Sequence, residues 1–190
     1  MKSEDVKGIL QRRMGVEHYA HSLRVELAAR DLAVRYGADV ERAALAGLLH
    51  DYARDLPEEQ LKEMAIANNL ISHPVDFLLP VLLHAPVGAY LVSRDLGILD
   101  QEILDAIARH TIGNPTMSVM EKVIFLADMI EPGRSFPGAD DLRRTAEQDL
   151  DKAMLAAFDS ALSYVISRGS LIHPVTVEAR NNLLQQIGGR

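Results

Sequence analysis

Histidine and aspartate side chains recur along this sequence at positions that are expected to face the protein interior. His21, His50 and His110 each begin or end a stripe of apolar residues at helical spacing. Asp51 follows His50 directly, and Asp128 interrupts the apolar run from 124 to 130. A buried carboxylate is costly unless it is paired or coordinates a metal ion. These positions therefore raise the question of a metal site.

Each of these residues, taken alone, has a simpler interpretation. A lone inward histidine is more often a hydrogen-bonded core residue than a ligand, and Asp128 could pair with a buried arginine. Taken together with His84, however, four inward histidines and two inward acids on five helical segments need partners that a bundle with few buried cations cannot supply. Divalent metal ions would satisfy them jointly, since imidazole and carboxylate suit Fe, Mn, Co, Ni and Zn more than Mg or Ca.

The elements that must position these residues are helices, because the apolar periodicity is helical nearly throughout. One stripe predicts a helix from about 16 to 36, which Gly37 ends. Asp39 then caps a second helix. No alternating segment is long enough to predict a strand, although 169–173 could be a short extended connection. The remaining helices are predicted to start at 57, at 100 and at 118, and to span 149–168 and 174–186. The fold class is all-α.

Length, composition and charge exclude several classes of protein. A chain of 190 residues fits a single domain over 1–190, with a core over about 16–155 and C-terminal helices over 149–187 packed on it. The 20 basic and 27 acidic residues give a net charge of −7, which is unlike a nucleic-acid binder. Because cysteine is absent, thiolate metal sites and cysteine nucleophiles are excluded. With no signal peptide and no run of ~20 apolar residues, we expect a cytoplasmic protein without a membrane partner.

Several segments, in this order, resemble a known family. They include Gly-Leu-Leu-His-Asp-Tyr at 47–52, Leu-Leu-His-Ala-Pro-Val-Gly-Ala at 82–89, Ala-Ile-Ala-Arg-His-Thr at 106–111 and Leu-Ala-Asp-Met-Ile-Glu-Pro-Gly-Arg at 126–134. They resemble the HD-domain metal-dependent phosphohydrolase superfamily, and within it the YqeK-like family of symmetrical bis(5'-nucleosyl)-tetraphosphatases. The resemblance implies a helical HD-domain bundle with a metal site between its helices.

The resemblance also implies a dinuclear metal site and a reaction. The metal would be iron, with manganese, cobalt, nickel or zinc as alternatives. The reaction would be hydrolysis of diadenosine tetraphosphate to two ADP. Two cations ~3.5–4 Å apart would suit a hydrolysis, because they lower the pKa of a shared water molecule. In this scheme the first ion is held by His21, His50, Asp51 and Asp128, and the second by Asp51, His84 and His110.

Two arginines are expected to bind substrate phosphates and to act with Asp51 in catalysis. Arg54 is predicted one turn beyond Asp51 on the same helix, where it could reach a phosphate beside the metals. Arg134 follows the turn after Glu131 and is the second phosphate-binding candidate. The simpler alternatives are a solvated surface arginine for Arg54 and a salt bridge to Glu131 for Arg134.

Three further residues are candidates for substrate binding. Thr111 and Asn114 follow His110 and are expected to line the opening of the metal site. His18 stands where the family commonly has arginine, so it either replaces a phosphate contact or is exposed. His73 and His173 both precede a proline, and no role is assigned to them.

Two alternative functions remain open from the sequence. Another HD phosphohydrolase, acting on a nucleoside monophosphate, a deoxynucleotide or a signalling nucleotide, would fit residues 47–52 equally well, whereas the segments around His84 and Phe136 favour the tetraphosphatase. A helical module that binds a structural metal or senses a nucleotide is the non-enzymatic alternative. The expected partner is a small nucleotide, and the oligomeric state stays open, with a homodimer among the options.

Overall fold

The all-α class predicted from the sequence is confirmed. Within residues 3–188, which the computed structural model describes, the chain forms ten α-helices and two short 3-10 helices, and no strand occurs in this range. The helices are α1 (Ser3–Arg13), α2 (Val16–Tyr36), α3 (Val40–Leu49), α4 (Glu58–Ala67), the 3-10 helices Pro74–Phe77 and Pro80–Leu83, α5 (His84–Leu96), α6 (Gln101–Arg109), α7 (Val119–Ile130), α8 (Ala139–Ala146), α9 (Leu150–Ser167) and α10 (Pro174–Gly188).

The ends of the helices follow local capping chemistry. Gly37 ends α2 in the left-handed conformation with φ 73°, and its N–H donates to Ala33 O. Asp39 and Asp100 begin α3 and α6 by accepting hydrogen bonds from backbone N–H groups of the first turn. Residues 169–173 form an irregular connection rather than an extended strand. Most helix boundaries are therefore fixed by residues adjacent in sequence.

The centre of the fold is a group of four helices, α2, α3, α6 and α7, that contact one another. α2 and α3 approach each other closely at Gly47, where an added Cβ would lie 3.0 Å from Ala29 Cβ and 3.1 Å from Val25 O. A side chain at position 47 would be in tight contact with α2 and would require a shift of a few tenths of an ångström. This contact brings His21 on α2 beside His50 at the end of α3.

The C-terminal helices lie against this core. α9 packs against α7 and α8, and α10 packs against α9. The rings of Phe125 on α7 and Phe158 on α9 are 5.0 Å apart, and both are buried. Among the described residues, every helix is too short or too polar to cross a lipid bilayer.

Candidate metal centre

The six predicted metal ligands come from five helices and meet at one place. His21 lies on the second turn of α2, His84 is the first residue of α5, and Asp128 lies near the end of α7. His50 and His110 are the residues that follow α3 and α6 directly. Asp51 comes next after His50. Because most of these side chains stand at helix ends, they can converge without disturbing the apolar packing along the helices.

The first group of ligands is formed by His21, His50, Asp51 and Asp128. The Nε2 atom of His21 lies 2.9 Å from Asp128 Oδ1 and 3.3 Å from His50 Nε2. His50 Nε2 lies in turn 3.4 Å from Asp51 Oδ2 and 3.8 Å from Asp128 Oδ1. Three of these residues are buried, while the Asp128 side chain keeps 19% of its surface exposed and so opens the centre to solvent.

The second group shares Asp51 with the first. Asp51 Oδ1 lies 3.1 Å from His84 Nε2 and 3.7 Å from His110 Nε2, and these two nitrogens are 3.2 Å apart. The two oxygens of Asp51 therefore face different groups, since Oδ2 faces His50. The rings of His50 and His110 are 4.9 Å apart, so the two groups form one continuous centre.

All four histidines are held through Nδ1 by a group that can only accept a hydrogen bond. A backbone carbonyl or an ionised carboxylate requires the proton to be on Nδ1. In the neutral ring, which is the form that binds a metal ion, Nε2 then carries the lone pair. The four pairs are His21 with Glu131 Oε1 at 3.0 Å, His50 with Gly47 O at 2.8 Å, His110 with Ile107 O at 2.7 Å, and His84 with Val81 O.

This arrangement fits a bound cation. Two Nε2 lone pairs 3.2–3.3 Å apart repel each other unless a positive charge lies between or beside them. Neutral imidazole oriented by a second hydrogen bond is the usual form of a metal-binding histidine. Four such nitrogens and two carboxylates make a donor set suited to a divalent transition metal.

The pKa shifts of the buried residues indicate a negative electrostatic potential in the centre. Burial disfavours the charged form of His50, but the carboxylates of Asp51 and Asp128 outweigh it and raise its pKa to about 9. Burial likewise opposes ionisation of Asp51, yet the charge of His50 and hydrogen bonds from the histidines hold the Asp51 pKa well below its usual range. At His110 burial dominates and lowers the pKa. The centre is built to keep its acids ionised and to attract positive charge.

A buried carboxylate behind His21 was missed by the sequence analysis. Glu131 is 1% exposed and accepts from His21 Nδ1, from Arg24 Nε at 2.5 Å and from Gly133 N at 2.5 Å. A Cβ at Gly133 would lie 2.7 Å from an Arg24 guanidinium nitrogen and would displace it. The signal available in the sequence was spacing, because Glu131 lies three residues after Asp128 on the same face.

Arg134 lies beside the first group of ligands, and its binding of a phosphate stays a prediction. Its guanidinium donates to Asp128 Oδ1 and, from Nε, to Asp128 O at 2.9 Å, and one of its nitrogens is 3.5 Å from His21 Nε2. The pair is with Asp128, so the alternative of a salt bridge to Glu131 is wrong. The loop is fixed by Arg143, which donates to Glu131 O at 2.9 Å and to Arg134 O at 2.5 Å.

Arg54 is close in sequence to Asp51 but is not on the same helix, so that part of the prediction is wrong. α3 ends at Leu49, and residues 50–55 form a series of turns in which Arg54 N donates to Asp51 O at 2.9 Å. The turns are held from outside by Arg13, which donates to Tyr52 O at 2.9 Å and lies over the Tyr52 ring. Arg54 itself is half-buried one turn beyond Asp51.

His18 contacts the same turns. Its Nδ1 pairs with Asp55 Oδ1, while Asp55 Oδ2 accepts from Gly15 N at 2.7 Å. The side chain of His18 keeps 43% of its surface exposed. The structure therefore places His18 beside the segment that carries Arg54, and its contact with substrate stays a prediction.

The two polar residues after His110 have different surroundings. Thr111 Oγ1 is buried and has no hydrogen-bond partner among the described residues. Asn114 Oδ1 accepts from Thr116 N at 2.9 Å and from Thr116 Oγ1 at 3.1 Å. Asn114 also lines a cavity of about 400 Å³ between α7, α9 and α10. The six proposed ligands all lie in the described part of the chain, and none of them lines this cavity. Substrate binding by Thr111 and Asn114 stays a prediction.

Comparison with known proteins gives three informative similarities. The family model of the HD domain matches residues 18–133. The chain is 39% identical over 184 residues to the symmetrical bis(5'-nucleosyl)-tetraphosphatase of Bacillus subtilis, covering 97% of this chain and 98% of that protein. It is 41% identical over 169 residues to the protein of the same name from Halalkalibacterium halodurans, covering 88% and 90%.

A solved structure agrees with the described fold. The crystal structure of an HD superfamily hydrolase from Clostridium acetobutylicum, described as involved in NAD metabolism, superposes with a TM-score of 0.94. The two chains are 40% identical, and the similarity covers 98% of each. The likeness therefore extends over the helices that carry the ligands and over the C-terminal helices.

Proposed function

Because the chain belongs to the HD-domain family, we propose that it hydrolyses diadenosine tetraphosphate symmetrically to two molecules of ADP. The observation that carries this proposal is the similarity along almost the whole chain to relatives that bear the name of this activity. The convergent centre supports it, since the six proposed ligands lie together and the side chain of Asp128 is partly exposed to solvent.

We propose that the centre holds two divalent transition-metal ions, with iron as the metal. His21, His50, Asp51 and Asp128 would hold the first ion, and Asp51, His84 and His110 the second. Two ions at such a site lower the pKa of a water molecule and polarise the phosphoryl group that it attacks. The two differently directed oxygens of Asp51 support its role as the shared ligand.

The residues of the chain prepare this chemistry in two ways. The Nδ1 hydrogen bonds keep each Nε2 lone pair directed into the centre and prevent the rings from turning. The ionised state of Asp51 is secured by its lowered pKa, so no proton has to leave it before a metal binds. The nucleophile would be a water molecule, and Asp51 would act in catalysis as the residue that holds both ions.

Substrate phosphates would be bound by the basic residues around the open side of the centre. Arg134, already at Asp128, offers a planar guanidinium that suits two phosphate oxygens at once. Arg54, on the turns after Asp51, supplies a second positive charge. We propose that the other polar groups of the substrate are bound by His18, Thr111 and Asn114. With the metal ions, the arginines explain how a chain of net charge −7 can bind a polyanion.

The test is product analysis with a panel of substrates. Metal-loaded protein is incubated with diadenosine tetraphosphate in ¹⁸O-labelled water, and the products are separated and weighed. We expect ADP as the sole product, with one labelled oxygen per cleavage. ATP with AMP would contradict symmetrical cleavage, and faster phosphate release from AMP, a deoxynucleotide or nicotinate mononucleotide would favour the alternative phosphohydrolase.

Two variants show whether the activity belongs to this centre. Asp51→Asn removes the charge of the shared ligand, and His84→Ala removes a ligand of the second group. Each is expected to lower hydrolysis at least about 100-fold. Hydrolysis that survives both changes would point to a contaminant and to a binding function for this chain.

A further inference from the structure

The first residue before α10, His173, forms a buried pair with an acid far away in the sequence. His173 Nε2 lies 3.1 Å from Asp76 Oδ1, and both residues are 4% exposed. His173 Nδ1 accepts from Val175 N at 3.3 Å, so the ring proton is on Nε2 and is donated to Asp76. The pair joins the start of the C-terminal helix to the first 3-10 helix.

Asp76 also holds the loop in which it lies. Its Oδ2 accepts from Ser72 N at 2.8 Å, from Ser72 Oγ at 3.0 Å and from His73 N at 2.9 Å. One carboxylate thus uses one oxygen for the loop and the other for His173. A buried group with this many partners fixes the position of the 3-10 helix that begins at Pro74.

This 3-10 helix leads to one of the metal ligands. It contacts the second 3-10 helix, Pro80–Leu83, which runs directly into His84. The carbonyl that accepts from His84 Nδ1 belongs to Val81 within that second helix. The orientation of His84 therefore depends on the second 3-10 helix, which is in contact with the segment that Asp76 and His173 anchor.

The same helix, α10, also holds the segment that follows His110. Thr176 Oγ1 donates to Ile112 O at 3.0 Å, and Asn182 Nδ2 donates to Pro115 O at 3.3 Å. The first-group histidines lie elsewhere, on α2 and at the end of α3. The hydrogen bonds of α10 thus reach the segments of His84 and His110, the two histidines of the second group.

We infer that α10 is a brace for the second group of ligands and that His173 and Asp76 are its positioning residues. His173 and α10 lie outside residues 18–133, the part matched by the HD domain, whereas Asp76 lies within it. The inference rests on the proposed two-metal centre, and it says that the C-terminal helix sets the affinity of one metal position without touching the metal.

The experiment is a calorimetric titration of cobalt(II) into metal-free protein. Wild-type protein is expected to bind in two steps. In His173→Ala the step assigned to the second group should weaken by up to about 10-fold, the lower end of the range seen when a direct hydrogen-bond partner of a ligand is lost, because His173 acts on His84 through intervening contacts. The other step should stay unchanged. Glu131→Gln, which acts behind His21, should show the opposite pattern.

Two further variants separate positioning from general loss of stability. His173→Gln keeps an N–H donor for Asp76 and should restore most of the affinity. Leu10→Ala truncates a buried residue of α1 and should lower the free energy of unfolding while leaving both steps unchanged. Equal weakening of both steps in His173→Ala, or no change, would overturn the brace alone. Wild-type protein that binds no cobalt would overturn the proposed centre and the brace together.

Discussion

At the residue scale, the metal centre is defined by what stands behind its ligands. Each histidine gives its Nδ1 proton to a fixed acceptor, which leaves one orientation and one tautomer for metal binding. Three of these acceptors are carbonyls of the histidine's own helix end or turn. Only Glu131, behind His21, is a side chain, so only this acceptor can be removed by substitution.

Glu131→Gln is expected to weaken metal binding about 10- to 100-fold. The amide keeps the shape but loses the charge that stabilises His21 and that pairs with Arg24. Metal affinity is measured by titration of metal-free protein. The control is Glu121→Gln, a buried carboxylate on α7 that pairs with Arg109 at 2.9 Å. Equal losses in the two variants would refute a specific role for Glu131.

Arg134→Lys is expected to raise KM for diadenosine tetraphosphate about 10-fold or more, because an ammonium group cannot bind two phosphate oxygens in the way a guanidinium does. The metal content should stay that of wild-type protein. Arg144→Lys, at an exposed arginine of α8 that pairs with Asp141, is the matched control. Steady-state kinetics would contradict the assignment if Arg134→Lys left KM unchanged.

The side chains that meet in this cluster were predicted from residue type, helical spacing and the resemblance to the HD family, and their roles as metal ligands stay predictions. Glu131 could not be recognised in this way, because its burial depends on Arg24 and on the bare backbone of Gly133. The residues that bind substrate are likewise not fixed by local sequence. Whether Thr111 or Asn114 faces the centre depends on the path of a loop, and the structure gives Asn114 a partner in Thr116.

At the element scale, the close contact of α2 with α3 brings the first-group histidines together. Gly47 favours this approach, because a Cβ there would lie 3.0 Å from Ala29 Cβ and 3.1 Å from Val25 O, so these neighbours would have to shift by a few tenths of an ångström. Gly88 on α5 provides a comparison, because a Cβ added there would meet its nearest atoms only at 3.7 Å.

Gly47→Ala is expected to destabilise the protein by about 1–3 kcal/mol through overpacking. Gly88→Ala should be neutral or stabilising by up to about 1 kcal/mol, since alanine favours a helix more than glycine does. Both values come from urea unfolding followed by circular dichroism. If the two variants are equally stable, the contact between α2 and α3 is not a constraint on the fold.

Helix boundaries were predictable where the cap is adjacent in sequence, as at Gly37, Asp39 and Asp100. The end of α3 was not. The turns at 50–55 are held by Arg13 at the Tyr52 carbonyl and by Asp55 at Gly15 N, which are contacts across about forty positions of the sequence. The sequence near position 50 therefore predicts that the helix continues through Arg54, because the contacts that end it come from residues far away in the sequence.

At the scale of the whole molecule, five helices meet at a centre whose ligands repel one another without a cation. Imidazole lone pairs and ionised carboxylates face one another there, and this arrangement raises the pKa of His50 to about 9. A bound metal ion therefore stabilises the folded chain as well as serving chemistry.

Removal of metal with a chelator is expected to lower the melting temperature. A ligand at about 100 times its Kd contributes roughly 2.7 kcal/mol to the free energy of unfolding, so the change should be several degrees. The measurement compares melting curves with and without chelator. In Asp51→Ala, which lacks the shared ligand, the chelator should have little effect. An unchanged melting temperature in wild-type protein would mean that metal does not hold these helices together.

The central claim is that this chain carries a metal centre at its six convergent ligands, and elemental analysis of untagged protein purified without chelator tests it most directly. We predict about two transition-metal ions per chain, and a much lower content in Asp51→Ala purified in parallel. Protein that is free of metal and that also fails to take up iron, manganese or cobalt on reconstitution would contradict the account.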